Sequence, residues 1–145
     1  MNTPSSSKKR AAGPFEVTLT PQLIHDAAAA LGRMSIDKRF HGDLDGTSSG
    51  EMLSAMGAVS GSAGYVAMER VVGTLHERAG SFVLQHSGTM DRGKSALSVS
   101  VVPDSGTGAL VGLTGTMTID IADKKHSYTF DYELGAAAGA DHPRP

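Results

Sequence analysis

The sequence contains no cysteine and no tryptophan among its 145 residues. Without thiols the protein has no disulfide bonds, no thiolate nucleophile and no cysteine-ligated zinc site. Long apolar runs are also missing, since no stretch approaches the ~18 residues of a membrane-spanning helix. The opening residues MNTPSSSKKRAAG carry basic side chains with no apolar run behind them, unlike a signal peptide. We therefore expect a soluble protein with no membrane partner and a cytoplasmic location.

An excess of one charge is lacking as well. Thirteen Lys and Arg residues stand against 15 Asp and Glu, which leaves a net charge of -2. Nucleic-acid binding usually needs a basic face, and the run Lys8, Lys9 and Arg10 has neither such a face nor aromatic stacking partners. We expect no nucleic-acid partner, and function has to come from a local site.

The composition fits one domain over residues 14–135, between tails at residues 1–13 and 136–145 that are small, polar or rich in Gly and Pro. Residues 21–32, PQLIHDAAAALG, predict one short helical segment near the N-terminus. Thr20 suits its capping position, Pro21 suits its first turn and Gly32 would end it.

Elsewhere, alternation of apolar and polar residues predicts β-strands, and the first hairpin is the most informative. If YVAMERVVGTL and GSFVLQHSGTM are joined by the turn HERA, Leu75 lies opposite Gly80 and Glu69 lies opposite His86. All other side chains on that face are apolar. The pairing therefore predicts an acid and an imidazole together on an apolar surface.

Two more hairpins extend the same apolar face. The turn DRGK places Met90 opposite Ser95, and the turn ADKK places Ile121 opposite His126. Upstream, Asp45-Gly46 is a strong two-residue turn signal that would place Phe40 opposite Glu51, although a bend in one long strand is an alternative. Seven or eight antiparallel strands result, and closure removes exposed edges. We therefore predict an all-β fold, a closed eight-stranded antiparallel barrel.

Five segments resemble an uncharacterised bacterial domain-of-unknown-function family, number 3224, over about residues 15 to 134: FHGDLDGTSSGEMLSA, GSAGYVAMERVVGTL, GSFVLQHSGTM, VVPDSGTGALVGLTGTM and HSYTFDYEL. That family is similar in fold to the allene oxide cyclase barrel, whose relatives include cyclases, isomerases and dirigent proteins. The resemblance implies a barrel with a hydrophobic cavity and a homo-oligomer. Allene oxide cyclases carry a glutamate in the strand that corresponds to YVAMERV, where this sequence has Glu69.

Glu69 and His86 are the candidate catalytic residues. A carboxylate and an imidazole that share an apolar enclosure perturb each other's proton affinity, and such a pair can transfer a proton at neutral pH. Two alternatives are a buried structural pair and polar anchors for a ligand.

Most aromatic residues fall on the predicted inner face. They form a wall that either binds a ligand or simply fills the barrel. The candidate ligand-binding residues are Phe40, Tyr65, Phe82, Met117, Tyr128, Phe130 and Tyr132.

Other motifs carry little weight. GTSSG places Ser48 in a nucleophile pattern, but a strand-like run follows where a nucleophile elbow needs a helix. His41 and Asp43 provide two ligands where a metal site needs three or four, so we predict no metal and no cofactor. Met52, Met56 and Met68 are a candidate patch for a partner subunit.

Three functions fit these patterns. The first is a cofactor-independent isomerase or cyclase that acts on a small hydrophobic or amphipathic molecule through Glu69 and His86. The second is a carrier or sensor that binds such a molecule without changing it. The third is a structural oligomerisation module with a filled barrel. The sequence does not name the ligand.

Overall fold

Each secondary-structure element in the described part of the chain is a β-strand. The computed structural model describes residues 8–24 and 31–135. Alternating apolar and polar side chains give each long strand one buried and one exposed face. Nine strands form in these ranges: β1 Lys8–Pro21, β2 Leu31–Phe40, β3 Leu44–Met56, β4 Ala63–Leu75, β5 Arg78–Asp91, β6 Lys94–Val101, β7 Thr107–Gly108, β8 Leu113–Ala122 and β9 Lys125–Leu134.

Eight of these strands close into an antiparallel barrel, which confirms the predicted architecture. The order around the barrel is β4, β3, β2, β1, β9, β8, β6 and β5, and pairing between β4 and β5 closes it. The two-residue strand β7 lies outside this ring and pairs with β5 at Gly80 and Ser81. Among the described residues each strand of the ring thus has a neighbour on both sides, although β6 and β8 pair only through Ser100 and Thr116.

The predicted helical segment at residues 21–32 is wrong. Pro21 ends β1, while Leu31 and Gly32 begin β2. Residues 22–24 are not helical, and residues 25–30 lie outside the described residues. The two ends of this segment form hydrogen-bonded pairs with neighbouring strands, and this sheet pairing overrides the local helix preference. Residues 8–24 and 31–135 contain no helix that could cross a membrane.

Strand β1 begins within the stretch that we assigned to the N-terminal tail. Residues 8–15 pair with β9, and residues 15–21 pair with β2. Phe15 is the residue shared by the two ladders. The basic run Lys8, Lys9 and Arg10 therefore belongs to the barrel wall. Residues 1–7 and 136–145 lie outside the described residues.

Two of the three predicted hairpin registers are confirmed, and the first is shifted. Met90 pairs with Ser95, and Ile121 pairs with His126, as predicted. In the first hairpin, however, Leu75 pairs with Arg78 and not with Gly80. The reason is a two-residue turn at residues 76–77 in place of the four-residue turn HERA, with φ of 44° and 71°. Such left-handed pairs match the twist of adjoining strands.

The predicted turn at Asp45-Gly46 is also wrong. The β2–β3 turn occupies residues 41–43, so Phe40 pairs with Gly46 and not with Glu51. Gly46 lies within β3, where a Cβ atom would approach the backbone oxygen of Val72 to 2.3 Å. The glycine therefore permits close approach of neighbouring strands and does not form a turn.

The two ends of the barrel differ in how they are filled. At the end that carries the β4–β5 turn, the closed end, Leu44, Leu75, Leu110 and Leu113 are fully buried. At the opposite, open end, large apolar side chains remain exposed although the strands carry them to the mouth of the barrel. These are Met56, Met90, Leu97 and Ile121.

Candidate functional site

A recess of about 580 Å³ lies at the open end of the barrel. Strands β3, β4, β5, β6 and β8 contribute to its wall, and most of the wall is apolar. This is the arrangement expected of a site for a small molecule, since barrel mouths are common ligand sites. Its lining residues are Met52, Ser54, Ala63, Gly64, Tyr65, Gly88, Thr89, Met90, Ser95, Ala96, Leu97, Ile119 and Ile121.

Tyr65 is the innermost aromatic side chain of this recess. It pairs with Gly88 across β4 and β5, and a Cβ atom on Gly88 would lie 2.6 Å from Tyr65 Cε1. The missing side chain thus makes room for the ring. Burial raises the pKa of Tyr65, and the negative charge of Glu69 raises it further.

A buried polar network lies beneath Tyr65. Glu69 Oε1 accepts hydrogen bonds from Lys38 Nζ at 2.8 Å and from His86 Nε2 at 2.5 Å. Glu69 Oε2 accepts a hydrogen bond from Ser48 Oγ at 2.6 Å. All four side chains are buried, and Glu69 is only 1% exposed. The network therefore provides the carboxylate with partners that replace water.

The electrostatics of this network keep Glu69 ionised. Burial alone raises the pKa of its carboxyl group, but the hydrogen bond from His86, the charge and hydrogen bond of Lys38 and the hydrogen bond of Ser48 outweigh burial. Together they lower the pKa to about 2. The ammonium of Lys38 also lies 5.0 Å from the centroid of the Phe15 ring, a favourable cation–π position.

Glu69 and His86 meet diagonally across the β4–β5 ladder. Glu69 pairs directly with Leu84, and His86 pairs with Ala67. The register shift of two residues preserves the inner face of both strands, so the predicted contact forms despite the wrong pairing. Successive inner layers beneath the recess are Tyr65 with Gly88, then Ala67 with His86, then Glu69 with Leu84.

This geometry assigns different roles to the two residues. A carboxylate with a pKa of about 2 that already accepts three hydrogen bonds is a weak base at neutral pH. It orients the imidazole instead, because His86 Nε2 must donate to it. His86 Nδ1 has no hydrogen-bond partner among residues 8–24 and 31–135. Nδ1 is thus the ring position of His86 that is open to a further contact.

Comparison with known proteins agrees with the barrel. The profile of the family described as "Protein of unknown function (DUF3224)" matches residues 11–132. The chain belongs to the DUF3224 family. A crystal structure of a DUF3224 protein of unknown function from Shewanella oneidensis MR-1 has 51% sequence identity and a TM-score of 0.83, with 87% of this chain and 96% of that chain covered. No curated protein matches the chain. The similarity to allene oxide cyclase stays a prediction.

In this DUF3224 protein, six of the seven predicted ligand-binding residues fill the interior. Phe82, Phe130 and Tyr132 form a continuous stack with ring centroids 5.7 and 5.3 Å apart. Phe40 packs edge-on against Tyr128, and Met117 is buried in the same cluster. Only Tyr65 of the predicted set lines the open-end recess.

The buried tyrosine hydroxyls explain part of that packing. Tyr128 Oη accepts a hydrogen bond from Leu44 N at 2.8 Å and donates to His41 O at 2.7 Å. Tyr132 Oη bonds His76 Nδ1 at 2.5 Å. These hydroxyls bond residues of the β2–β3 and β4–β5 turns at the closed end, so of the three tyrosines only Tyr65 is left at the open-end recess.

Two residues of the site escape the sequence reasoning. The motif GTSSG suggests a nucleophile at Ser48, whereas here its hydroxyl donates to Glu69. Lys38 belongs to none of the motifs in the sequence. The available signal is its position in β2, in the same inward-facing row as Ile36 and Phe40. A charged residue in an apolar row indicates a buried partner.

The remaining candidate groups do not assemble. His41 pairs with Glu16 at 2.7 Å, and no cluster suited to a metal forms in the described ranges. Met52 lies in the recess while Met68 is on the outer face of β4, so with Met56 they do not form one patch. Homo-oligomer formation and a cytoplasmic location stay predictions.

Proposed function

We propose that this DUF3224 protein binds a small apolar or amphipathic molecule in the open-end recess. The observation that carries the proposal is the contrast between the ends, because one end is closed by buried leucines and the other leaves an apolar hollow. A purely structural barrel gains stability by filling both ends with side chains.

The recess also has the size and composition of a ligand site. Its volume of about 580 Å³ lies within the ~300–1,000 Å³ typical of small-molecule pockets. Hydroxyl groups of Ser54, Tyr65, Thr89 and Ser95 are spaced among the apolar residues. A molecule with an apolar body and one or two oxygen atoms fits this chemistry.

A blocking variant tests the proposal. Leu97→Trp places an indole in the recess, and Leu53→Trp places the same group outside it at nearly equal exposure, 44% against 47% for the native leucines. N-phenyl-1-naphthylamine, whose fluorescence rises in apolar surroundings, is the binding probe. Loss of about 60 Å² of apolar contact weakens binding about tenfold, so Leu97→Trp weakens it at least that much.

Leu53→Trp should bind the probe as the wild type does. Native mass spectrometry of the purified wild type and of both variants gives the second readout, since a retained molecule should disappear only from Leu97→Trp. Equal probe binding by all three proteins would exclude the recess as the site.

A second candidate function is proton transfer on the bound molecule, as in an isomerase or cyclase. Its supporting observation is His86, which an ionised carboxylate orients and whose second ring nitrogen is free of hydrogen bonds in the described part of the chain. His86 lies one layer below Tyr65, with ring centroids 6.4 Å apart. Substrate must therefore displace the Tyr65 ring to reach the imidazole.

Deuterium incorporation separates this enzyme from a carrier. The molecule retained after native purification is incubated with protein in D₂O. Removal of a proton by His86 and return of a deuteron raises the mass of product or recovered substrate by one unit. His86→Phe should abolish the exchange while the molecule stays bound. If the wild type binds the molecule without deuterium exchange, the result would exclude proton transfer and favour a carrier.

A further inference from the structure

A second recess, of about 410 Å³, lies at the closed end of the barrel and is lined by basic and aromatic side chains. It is separate from the open-end recess, because the filled core lies between them. Three elements meet there: the start of β1, the β4–β5 turn with the start of β5, and the end of β9. Its lining residues are Lys9, Arg10, His76, Arg78 and Tyr132, with no carboxylate among them.

The strand alternation places Lys9 and Arg78 on the inner side of the barrel wall. Lys9 pairs with the inward-facing Tyr132 and is two residues from the buried Ala11. Arg78 pairs with the inward-facing Leu75. Two cations thus occupy positions at the closed end where apolar residues would complete the core. Departures from the apolar pattern of this kind tend to mark functional sites.

These two cations lack the partner that the neighbouring arginine has. Arg10 binds Asp131 through two nitrogens, at 2.7 and 3.2 Å. By contrast, neither Lys9 nor Arg78 forms an ion pair with any residue in the described ranges. Two positive charges from separate strands therefore face one recess in a protein whose net charge is -2.

Polar groups at the base of the recess are held in a fixed geometry. His76 has a left-handed backbone, with φ of 44°, that few residues other than glycine adopt. This conformation directs its Nδ1 to Tyr132 Oη, while its Nε2 is 3.7 Å from Asp43. Asp43 therefore lies on the far side of the imidazole. The phenol and imidazole at the base are preorganised for hydrogen bonding.

We propose that the closed-end recess binds a phosphate group, either free phosphate or a phosphate monoester. Lys9 and Arg78 neutralise the dianion, and Arg78 contributes a fork of N–H donors that matches phosphate oxygens. Tyr132 and His76 supply further polar contacts. The two positive charges, which form no ion pair in the described ranges, match the two negative charges of a phosphate better than the single negative charge of a carboxylate ligand. This site is independent of the proposed apolar ligand.

A titration with inorganic phosphate tests the site in the full chain. Nuclear magnetic resonance follows His76 and Arg78 at constant ionic strength and above about pH 7, where phosphate is mostly a dianion. The resonances of both residues should shift and saturate. Arg78→Ala and Lys9→Ala should each weaken binding at least about tenfold, because each removes a hydrogen bond to a charged group.

Arg92→Ala and Lys94→Ala are the matched controls, since these exposed cations lie in and beside the β5–β6 turn at the open end. They should leave phosphate binding unchanged. Glycerol phosphate distinguishes the two sources, because tighter binding than inorganic phosphate identifies a monoester and equal binding shows that the phosphate group alone is recognised. Shifts that do not saturate, that sodium chloride reproduces, or that persist in Arg78→Ala and Arg78→Gln would overturn the proposal.

Discussion

Replacing Glu69 by glutamine removes the negative charge on which Lys38, Ser48 and His86 converge. The pKa of Glu69 is lowered from an ordinary value of 4.5 to about 2, mainly by its hydrogen bonds and by the charge of Lys38 against the opposing effect of burial. At 1.36 kcal/mol for each pKa unit this corresponds to about 3 kcal/mol of folding stability. Leaving the Lys38 charge without a partner costs roughly 3–5 kcal/mol on independent grounds. We expect Glu69→Gln to lose about that much at pH 7.

The pH dependence gives the more specific test. Because the folded pKa of Glu69 lies below its unfolded value, the stabilisation is complete above about pH 4.5 and is lost as pH falls towards 2. The wild type should therefore lose about 3 kcal/mol over this range that Glu69→Gln does not lose. Urea unfolding followed by circular dichroism at pH 7, 5, 4, 3 and 2.5 measures the free energy of unfolding of both proteins.

Glu51→Gln is the control for this experiment. Glu51 pairs with Arg33 at 2.7 Å on the surface, where solvent screens the interaction. Its stability profile should run parallel to the wild-type profile from pH 7 to 2.5. If the profile of Glu69→Gln also runs parallel to the wild type between pH 5 and 2.5, the network does not hold Glu69 ionised and the assignment of His86 as the oriented base fails with it.

Two further changes test the core and the strand spacing. Tyr128→Phe should lower the free energy of unfolding by roughly 1–3 kcal/mol, because it leaves the buried Leu44 N without its hydrogen-bond partner. Tyr65→Phe is the control and should change the free energy of unfolding by less than about 0.5 kcal/mol. Chemical denaturation of both variants measures the difference. Gly46→Ala should destabilise the barrel by about 3 kcal/mol or more, since the new Cβ would lie 2.3 Å from the Val72 backbone oxygen. A melting temperature within about 3 °C of the wild-type value would contradict the β3–β4 register.

The sequence predicts the barrel because alternation is strong on both strands of each late hairpin. In the β8–β9 hairpin, the register that pairs Ile121 with His126 aligns the apolar rows, and a shift by one residue would expose apolar side chains. Residues 21–32 lack this restraint. Their apolar residues and alanines satisfy a helical pattern locally, and only the long-range pairing of Pro21 with Met34 reveals the strand.

The candidate site is predictable from the sequence where the alternation of inward-facing and outward-facing residues is enough to place a side chain. Glu69 and His86 meet because a two-residue shift of the β4–β5 ladder keeps both on the inner face. Lys38 and Ser48 require the correct β2–β3 register, which pairs them directly. That register depends on the turn at residues 41–43, and the stronger turn signal at residues 45–46 obscures it. The position of the β2–β3 turn is therefore the information that the sequence does not provide.

The buried network is difficult to explain by stability alone. Apolar residues of similar volume in place of a buried ion pair are often neutral or stabilising, by 1–4 kcal/mol. The neighbouring inner positions, such as Val71 and Leu84, already carry such residues. At His86 and Glu69 the barrel instead keeps an oriented imidazole one layer beneath an apolar recess and an ionised carboxylate two layers beneath it. Because buried leucines cap the core at the closed end while the core at this end borders an apolar recess, the position of the network supports the proposed recognition of a bound molecule over a purely structural role.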